Sequence, residues 1–267
     1  MSKPLSAIEA AKRLAAYTAV DKHIFPQHRV IGIGSGSTVP YVVERIVAQG
    51  VDVNRHRVFI PTGFQSKNLI LDAGLVLGDI EQYSSLDVAL DGADEVDPAL
   101  NCIKGGGACQ LREKVLAEAA QTFVVVADYR KDSPLLGTNW AKGVPLEVVP
   151  FGYTRVLQRL QSLGAPRDTG LRMAGTAKAG PVVSDNGNFI VDAVFPPDRM
   201  RAPAELLREL KAMTGIVEVG LFCGIAKAAY FGNEDGSVTI RNTDGSVETV
   251  AAASESIAGQ EEPPQAQ

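Results

Sequence analysis

The feature that most constrains the fold of this chain is a glycine-rich turn set between a strand and a helix. Arg29 to Ile33 reads as a buried strand that runs into GIGSGST (Gly32 to Thr38), and Val39 to Gln49 then has the apolar spacing of a helix ending at Gly50. Strand, tight turn and helix in that order form the first unit of a parallel α/β sheet, since parallel neighbours need a crossover and a helix supplies it. Further strands are predicted at Arg57 to Ile60, Leu75 to Leu77, Leu86 to Leu90 and Thr122 to Asp128, with helices at Ser66 to Ala73 and from about Ala108 to Ala120. The strands end in polar loops, where open α/β sheets place their ligands.

Ahead of this run, Ser6 to Tyr17 reads as a helix that Ser6 can cap, with Glu9 three residues on. From Leu146 the pattern changes. VPLEVVPF is followed by a helix from about Tyr153 to Leu163, a hairpin-like PVVSDNGNFIVDAVF turning at Asn186-Gly187, and a helix from Pro203 to Met213. Gly215 to Leu221, Ala226 to Phe231 and Ser237 to Ile240 read as strands that return to the main sheet or cap it. The fold class expected is α/β, a Rossmann-like open parallel sheet with helices on both faces plus a smaller inserted α+β domain. The main domain falls at 1–144 and 219–250, the small one at 145–218, and the small, polar, Pro-containing stretch 251–267 is expected to be a disordered tail.

Composition narrows the function. The 267 residues carry a net charge of −5, which argues against nucleic acid or an anionic membrane as partner, because phosphate backbones need a basic face. No signal-peptide arrangement and no apolar run of bilayer length is seen, so a cytoplasmic location is expected. Cys102, Cys109 and Cys223 match neither a zinc spacing nor a disulfide framework and read as reduced, buried thiols. His23, His28 and His56 all lie far from the glycine runs, so no metal site is predicted and catalysis falls to carboxylates and lysine.

Those groups are concentrated in DGADEVDPALNCIKGGGACQLREK, Asp91 to Lys114. Asp91 and Asp94 flank a Gly-Ala turn after a buried strand, and close carboxylates split in pKa so that one accepts a proton while the other keeps one. An Asx-type turn would explain the two acids alone equally well. Lys104 ends an apolar run, and Gly105, Gly106 and Gly107 carry no Cβ, so an ammonium and exposed N–H groups approach one ligand. Glu113 is expected about one and a half turns into the next helix, at roughly 3.6 residues per turn, within reach of its N-terminus. In the first glycine turn, the backbone N–H groups and the hydroxyls of Ser37 and Thr38, with Gly36 among them, suit a phosphate or sugar oxygens, but the turn lacks the third glycine of a dinucleotide fingerprint and the Gly-Lys of a P-loop. Thr62 and Ser66 of PTGFQS are explained first as caps. Lys131, with Arg130, follows a strand and is a weaker phosphate candidate.

GIGSGST, PTGFQS, DGADEVD, IKGGGACQLREK, VVVADYRK, VPLEVVPF, KAGPVVSDNGNFIVDA and GIVEVGLF, in this order and spanning nearly the whole chain to about Phe231, resemble the type A ribose-5-phosphate isomerases, the eukaryotic branch in particular. The resemblance implies a cofactor-free aldose–ketose isomerisation of ribose 5-phosphate and ribulose 5-phosphate, in the non-oxidative pentose phosphate pathway, by a homodimer or homotetramer. It places the base at Glu113, its lysine at Lys104, the paired acids at Asp91 and Asp94, the hydroxyl loop at Ser35 to Thr38 and a further lysine at Lys131. Ser35 stands where the family often has Thr, and both donate a hydroxyl. Amino-sugar-phosphate deaminases and coenzyme A transferases share the architecture, but the former would bring a histidine to the site and the latter a glutamate nucleophile. A sugar-phosphate sensor would need a DNA-binding module that an acidic chain with one N-terminal helix does not offer.

Overall fold

A computed structural model describes residues 5–251. The chain runs α1 (Ala7–His23), β1 (Val30–Ile33), α2 (Val39–Ala48), the short α3 (Val51–Asn54), β2 (Val58–Pro61), α4 (Phe64–Asp72), β3 (Leu86–Asp91), β4 (Glu95–Val96), β5 (Cys102–Ile103), α5 (Gln110–Ala119) and β6 (Ala120–Asp128). It continues with β7 (Val144–Val148), α6 (Tyr153–Ser162), β8 (Phe189–Ala193), α7 (Pro197–Met200), α8 (Pro203–Lys211), β9 (Ile216–Val219), β10 (Leu221–Phe222), β11 (Ala228–Gly232), β12 (Val238–Asn242) and β13 (Val247–Val250). Most of the tail expected to be disordered lies outside the described residues. Among the described residues no helix is long and apolar enough to cross a membrane.

The main sheet has the order β13-β12-β11-β6-β3-β1-β2. Its β11, β6, β3, β1 and β2 are parallel, and β12 and β13 add an antiparallel edge. Alternation of side chains along the strands builds two cores. Val88, Leu90, Val124 and Val126 face α1 and α2, where Ala15, Ala16 and Ala19 let α1 sit close to the strands. Ala89, Phe123, Val125 and Ala127 face the other way, against Ala117 of α5 and Val96, Cys102 and Phe222 of a three-stranded sheet, β10-β5-β4. That second face is therefore covered by one helix and a small sheet. Truncating Phe123, which is 2% exposed there, would cost about 3–5 kcal/mol.

A third sheet, β8-β7-β9, is antiparallel. Its Leu146, Val148, Val191 and Val219 pack with Val156 and Leu160 of α6 and with Leu206 and Leu210 of α8 in a separate core. We propose this sheet, its helices and this core as the smaller domain, at 145–218.

Four local expectations are corrected. Leu75 to Leu77 is not a strand, because it meets β2 at a single bridge, Phe59 to Leu77, before the chain leaves the sheet edge. Of the two readings of Gly215 to Leu221, the return to the main sheet does not occur, while its end, β10, lies in the small sheet that caps the main one. Its β9 pairs with β7 and its β10 with β5, and the break falls at Gly220, whose backbone bonds Pro145 O and Lys104 N. The helix expected from Ala108 begins at Gln110, since Ala108 has φ +62° and a left-handed residue cannot continue a right-handed helix. Of the three free cysteines only Cys102 is fully buried, while Cys109 and Cys223 are half-buried.

Candidate active site

From β1 the chain passes to β2 on one side, then returns to lay β3 on the other. The carboxyl ends of β1 and β3 thus flank a switch point, where an open α/β sheet leaves a crevice. Ser35 follows β1 and Asp91 ends β3, and the two meet there. Ser35 N donates to Asp91 Oδ1 at 2.9 Å and Gly92 N donates to the same oxygen at 2.7 Å. This contact requires Gly34, because a Cβ there would lie 2.0 Å from Asp91 Oδ1.

Lys104 arrives from β5, held by its N–H to Gly220 O at 2.8 Å. A Cβ at Gly220 would stand 2.2 Å from Lys104 O, so only glycine permits this approach. The Lys104 ammonium donates to Gly92 O and lies 3.0 Å from Asp91 Oδ2 and 3.3 Å from Glu113 Oε2. Neither carboxylate oxygen makes an aligned hydrogen bond, so both are ion-paired with acceptor capacity to spare. Glu113 stands in the first turn of α5, closer to the helix start than expected, and its Oε1 accepts the Ser35 hydroxyl at 2.5 Å. It is 4% exposed, so it is no solvated partner of Arg112.

Burial, reinforced by the Glu113 charge, raises the Asp91 carboxyl to about 7. Burial pulls the Lys104 ammonium down, but Asp91 and Glu113 outweigh it and hold Lys104 above its ordinary value. Asp94 is also raised, by burial, against the pull of the Gly106 N–H that donates to its Oδ2 at 2.7 Å. Lys104 is therefore a fixed cation between two carboxylates.

Above these groups opens a cleft of about 140 Å³. Of the residues predicted from sequence, Ser35, Gly36, Ser37, Thr38, Asp94, Lys104, Gly105, Gly106, Gly107, Glu113 and Lys131 line it. Asp91 does not; it lies beneath the cleft, behind Lys104. Thr38 stands at the N-cap of α2 without making a capping bond, which leaves its hydroxyl to the cleft. The PTGFQS hydroxyls act locally, with Ser66 Oγ accepting from Thr62 N and Gly63 N. Arg130 is bound to Asp128 through two nitrogens, at 2.6 and 3.0 Å, while Lys131 faces the cleft.

Two contributions escape a reading of the motifs. Asp128, at the end of β6, lines the cleft, and its place at a strand terminus was the available signal. Gln65 accepts the Gly36 N–H at 2.8 Å and pins the hydroxyl turn from α4; it lies in PTGFQS, where the hydroxyls drew the reading instead.

The model of the family described as ribose 5-phosphate isomerase A (phosphoriboisomerase A) matches residues 58–236. A ribose-5-phosphate isomerase of Cryptococcus neoformans is 67% identical over 250 residues, covering 91% of this chain and 82% of the relative. One of Schizosaccharomyces pombe is 54% identical over 249 residues, covering 93% and 89%. Among solved structures, a D-ribose-5-phosphate isomerase in complex with phospho-erythronic acid superposes with a TM-score of 0.78 at 34% identity, over 91% of this chain and 99% of that one. The ribose 5-phosphate isomerase A of Methanocaldococcus jannaschii gives 0.76 at 32% identity, again over 91% and 99%. Motif order, cleft geometry and these relatives agree: the chain belongs to the type A ribose-5-phosphate isomerase family and is an isomerase of ribose 5-phosphate.

Proposed function

We propose that the cleft interconverts D-ribose 5-phosphate and D-ribulose 5-phosphate through an enediolate, with Glu113 carrying the proton between C2 and C1. The observation that carries this is the Glu113 carboxylate itself. One oxygen is fixed by Ser35 Oγ, and the other lies beside Lys104 with no hydrogen bond of its own. A base so held presents one lone pair in one direction, the requirement for shuttling a proton between adjacent carbons.

As the C2 proton leaves, negative charge develops on the carbonyl oxygen. Lys104 and the N–H groups of the glycine loop meet it as donors fixed beforehand. Asp91 handles the hydroxyl proton at ring opening, and its raised pKa suits it to hold a proton near neutrality, while Lys104 beside it stays charged. Asp94 keeps one oxygen on Gly106 N, leaving Oδ1 for sugar hydroxyls. Ser37, Thr38 and Lys131 at the rim share the remaining sugar oxygens and the phosphate. That a relative's structure holds phospho-erythronic acid, a phosphorylated sugar acid, supports a phosphosugar at this place. The same reading carries a place in the non-oxidative pentose phosphate pathway, a cytoplasmic location and a homodimer or homotetramer, all on the family resemblance.

The test is conversion of C2-deuterated ribose 5-phosphate without added metal or cofactor. Conversion with a primary isotope effect, and with part of the deuterium recovered at C1 of ribulose 5-phosphate, is expected. Conversion with all of the deuterium delivered to C1 and none exchanged with solvent, the signature of a direct hydride shift, would rule out proton abstraction by Glu113.

A further inference from the structure

The three glycines that line the cleft are the part of the site least able to hold its own shape, since backbone without Cβ atoms flips at little cost. Ala108 N donates to Gly105 O at 2.9 Å and Gly106 N to Asp94 Oδ2 at 2.7 Å, and a further hold on the two carbonyls comes from beside the third sheet. Arg172 lies on an extended segment beside β8, its N–H donating to Ile190 O and its carbonyl accepting from Val182 N, both at 2.7 Å. Its side chain grips Asp192 through two nitrogens, Nε to Oδ2 at 2.8 Å and Nη2 to Oδ1 at 2.5 Å. The remaining nitrogen, Nη1, donates to Gly105 O and to Gly106 O, each at 3.0 Å. Neither Arg172 nor Asp192 lines the cleft.

A trans peptide is planar, and its C=O and N–H point in opposite directions. With Gly105 O turned toward Arg172, the N–H of Gly106 must face the other way, and it does, donating to Asp94 Oδ2 at 2.7 Å. By the same rule, Gly106 O on Arg172 turns the Gly107 N–H away from the guanidinium. That N–H has no acceptor among the described residues, and Gly107 lines the cleft.

We infer that Arg172, oriented by Asp192, is a positioning residue for the isomerisation: it holds the Gly105 and Gly106 carbonyls back so that the Gly107 N–H stays aimed at the developing oxyanion. The inference rests on the enediolate reading above. Were either peptide to flip, a carbonyl oxygen would replace a donor and repel the charge it should stabilise. Only a planar guanidinium holds a carboxylate with two nitrogens and two carbonyls with a third; a lysine ammonium has three donors on one atom and cannot span them.

The experiment uses the full chain with Arg172→Met, Arg172→Lys and Asp192→Asn. It measures kcat and KM for ribose 5-phosphate, phospho-erythronic acid affinity by calorimetry, and the unfolding midpoint. For Arg172→Met, kcat should fall about 10- to 10²-fold, the loss typical of a misplaced donor, with KM within about threefold. Phospho-erythronic acid should bind correspondingly less tightly. Arg172→Lys should recover only a minor part of kcat, and Asp192→Asn should lose less than Arg172→Met in the same direction. The double variant should be no worse than Arg172→Met alone, because the two act as a unit. If Arg172→Met does not fold, the Lys and Asn variants carry the same kcat test. A lowered unfolding midpoint with kcat per folded enzyme intact would make Arg172 purely structural and overturn the inference, as would a rise in KM alone. Either outcome, beside an inactive Glu113→Gln, would leave the general-base reading standing.

Discussion

The floor and the rim of the cleft follow opposite rules. On the floor, Asp91, Lys104 and Glu113 are 2, 2 and 4% exposed, and each charge has an opposite partner within 3.3 Å. At the rim, Ser37, Thr38 and Lys131 make no side-chain hydrogen bond to any described residue, although they line the same space. The contrast has a physical reason. A buried charge without a partner costs several kcal/mol, so the floor must be complete before substrate arrives, whereas the neutral hydroxyls of buried Thr38 and exposed Ser37 and the partly exposed Lys131 ammonium wait for it at a smaller cost. Removing the floor's one cation should therefore damage folding and turnover together, removing one of its two carboxylates should damage turnover without loss of stability, and substitutions at the rim should damage affinity alone.

The strongest way to break this distinction is Lys104→Met. It leaves Asp91 and Glu113 facing each other with no cation, so stability should fall by about 3–5 kcal/mol in urea unfolding, and turnover should fall at least about 10²-fold, as for a lost oxyanion donor. A stable, active variant would show that the floor is not a preassembled charge cluster. Gly106→Ala probes the join between floor and rim. Its Cβ would lie 2.4 Å from Asp94 Oδ1, so kcat/KM should drop up to about 10²-fold through displacement of the loop, with little change in melting temperature.

Lys131→Ala tests the rim. Losing one charged donor to a phosphate is worth about 1.5–3 kcal/mol, which should appear as a raised KM with kcat nearly unchanged. A fall in kcat instead would move Lys131 into the chemistry. A separate effect is expected on pH dependence. Because the Asp91 pKa is raised from 3.8 to about 7 on folding, the native state holds a proton that the unfolded chain releases across that interval. Its contribution is present in full below the unfolded value and is lost as pH rises toward 7. Asp91→Asn should flatten the decline in denaturation midpoint between about pH 4 and pH 7.

The same division of floor and rim explains what the sequence made legible. The hydroxyl turn, DGAD and the lysine-glycine-glutamate run could be read because each is a contiguous stretch at the end of a strand, carrying residue types that no core needs. The roles of Arg172, Asp192, Gln65 and Gly220 could not, since each acts through a contact with a distant part of the chain that no local pattern states, even where the residue lies in a quoted motif. In the fold, Val124 to Ala127 announced a central strand by being apolar on both faces. Gly215 to Leu221 announced strands without naming their partner, because period-2 alternation fixes a face and not a neighbour. Leu75 to Leu77 looked like a strand for its three apolar residues, and one bridge is all it forms.

The central claim is that Glu113 moves the proton, and Glu113→Gln tests it most directly. The amide can still accept the Ser35 hydroxyl, and it removes one of two facing buried carboxylates, so the unfolding midpoint should hold or rise. Steady-state turnover of ribose 5-phosphate should fall at least about 10²-fold with KM little changed. Near-normal kcat in a well-folded Glu113→Gln enzyme would contradict the account.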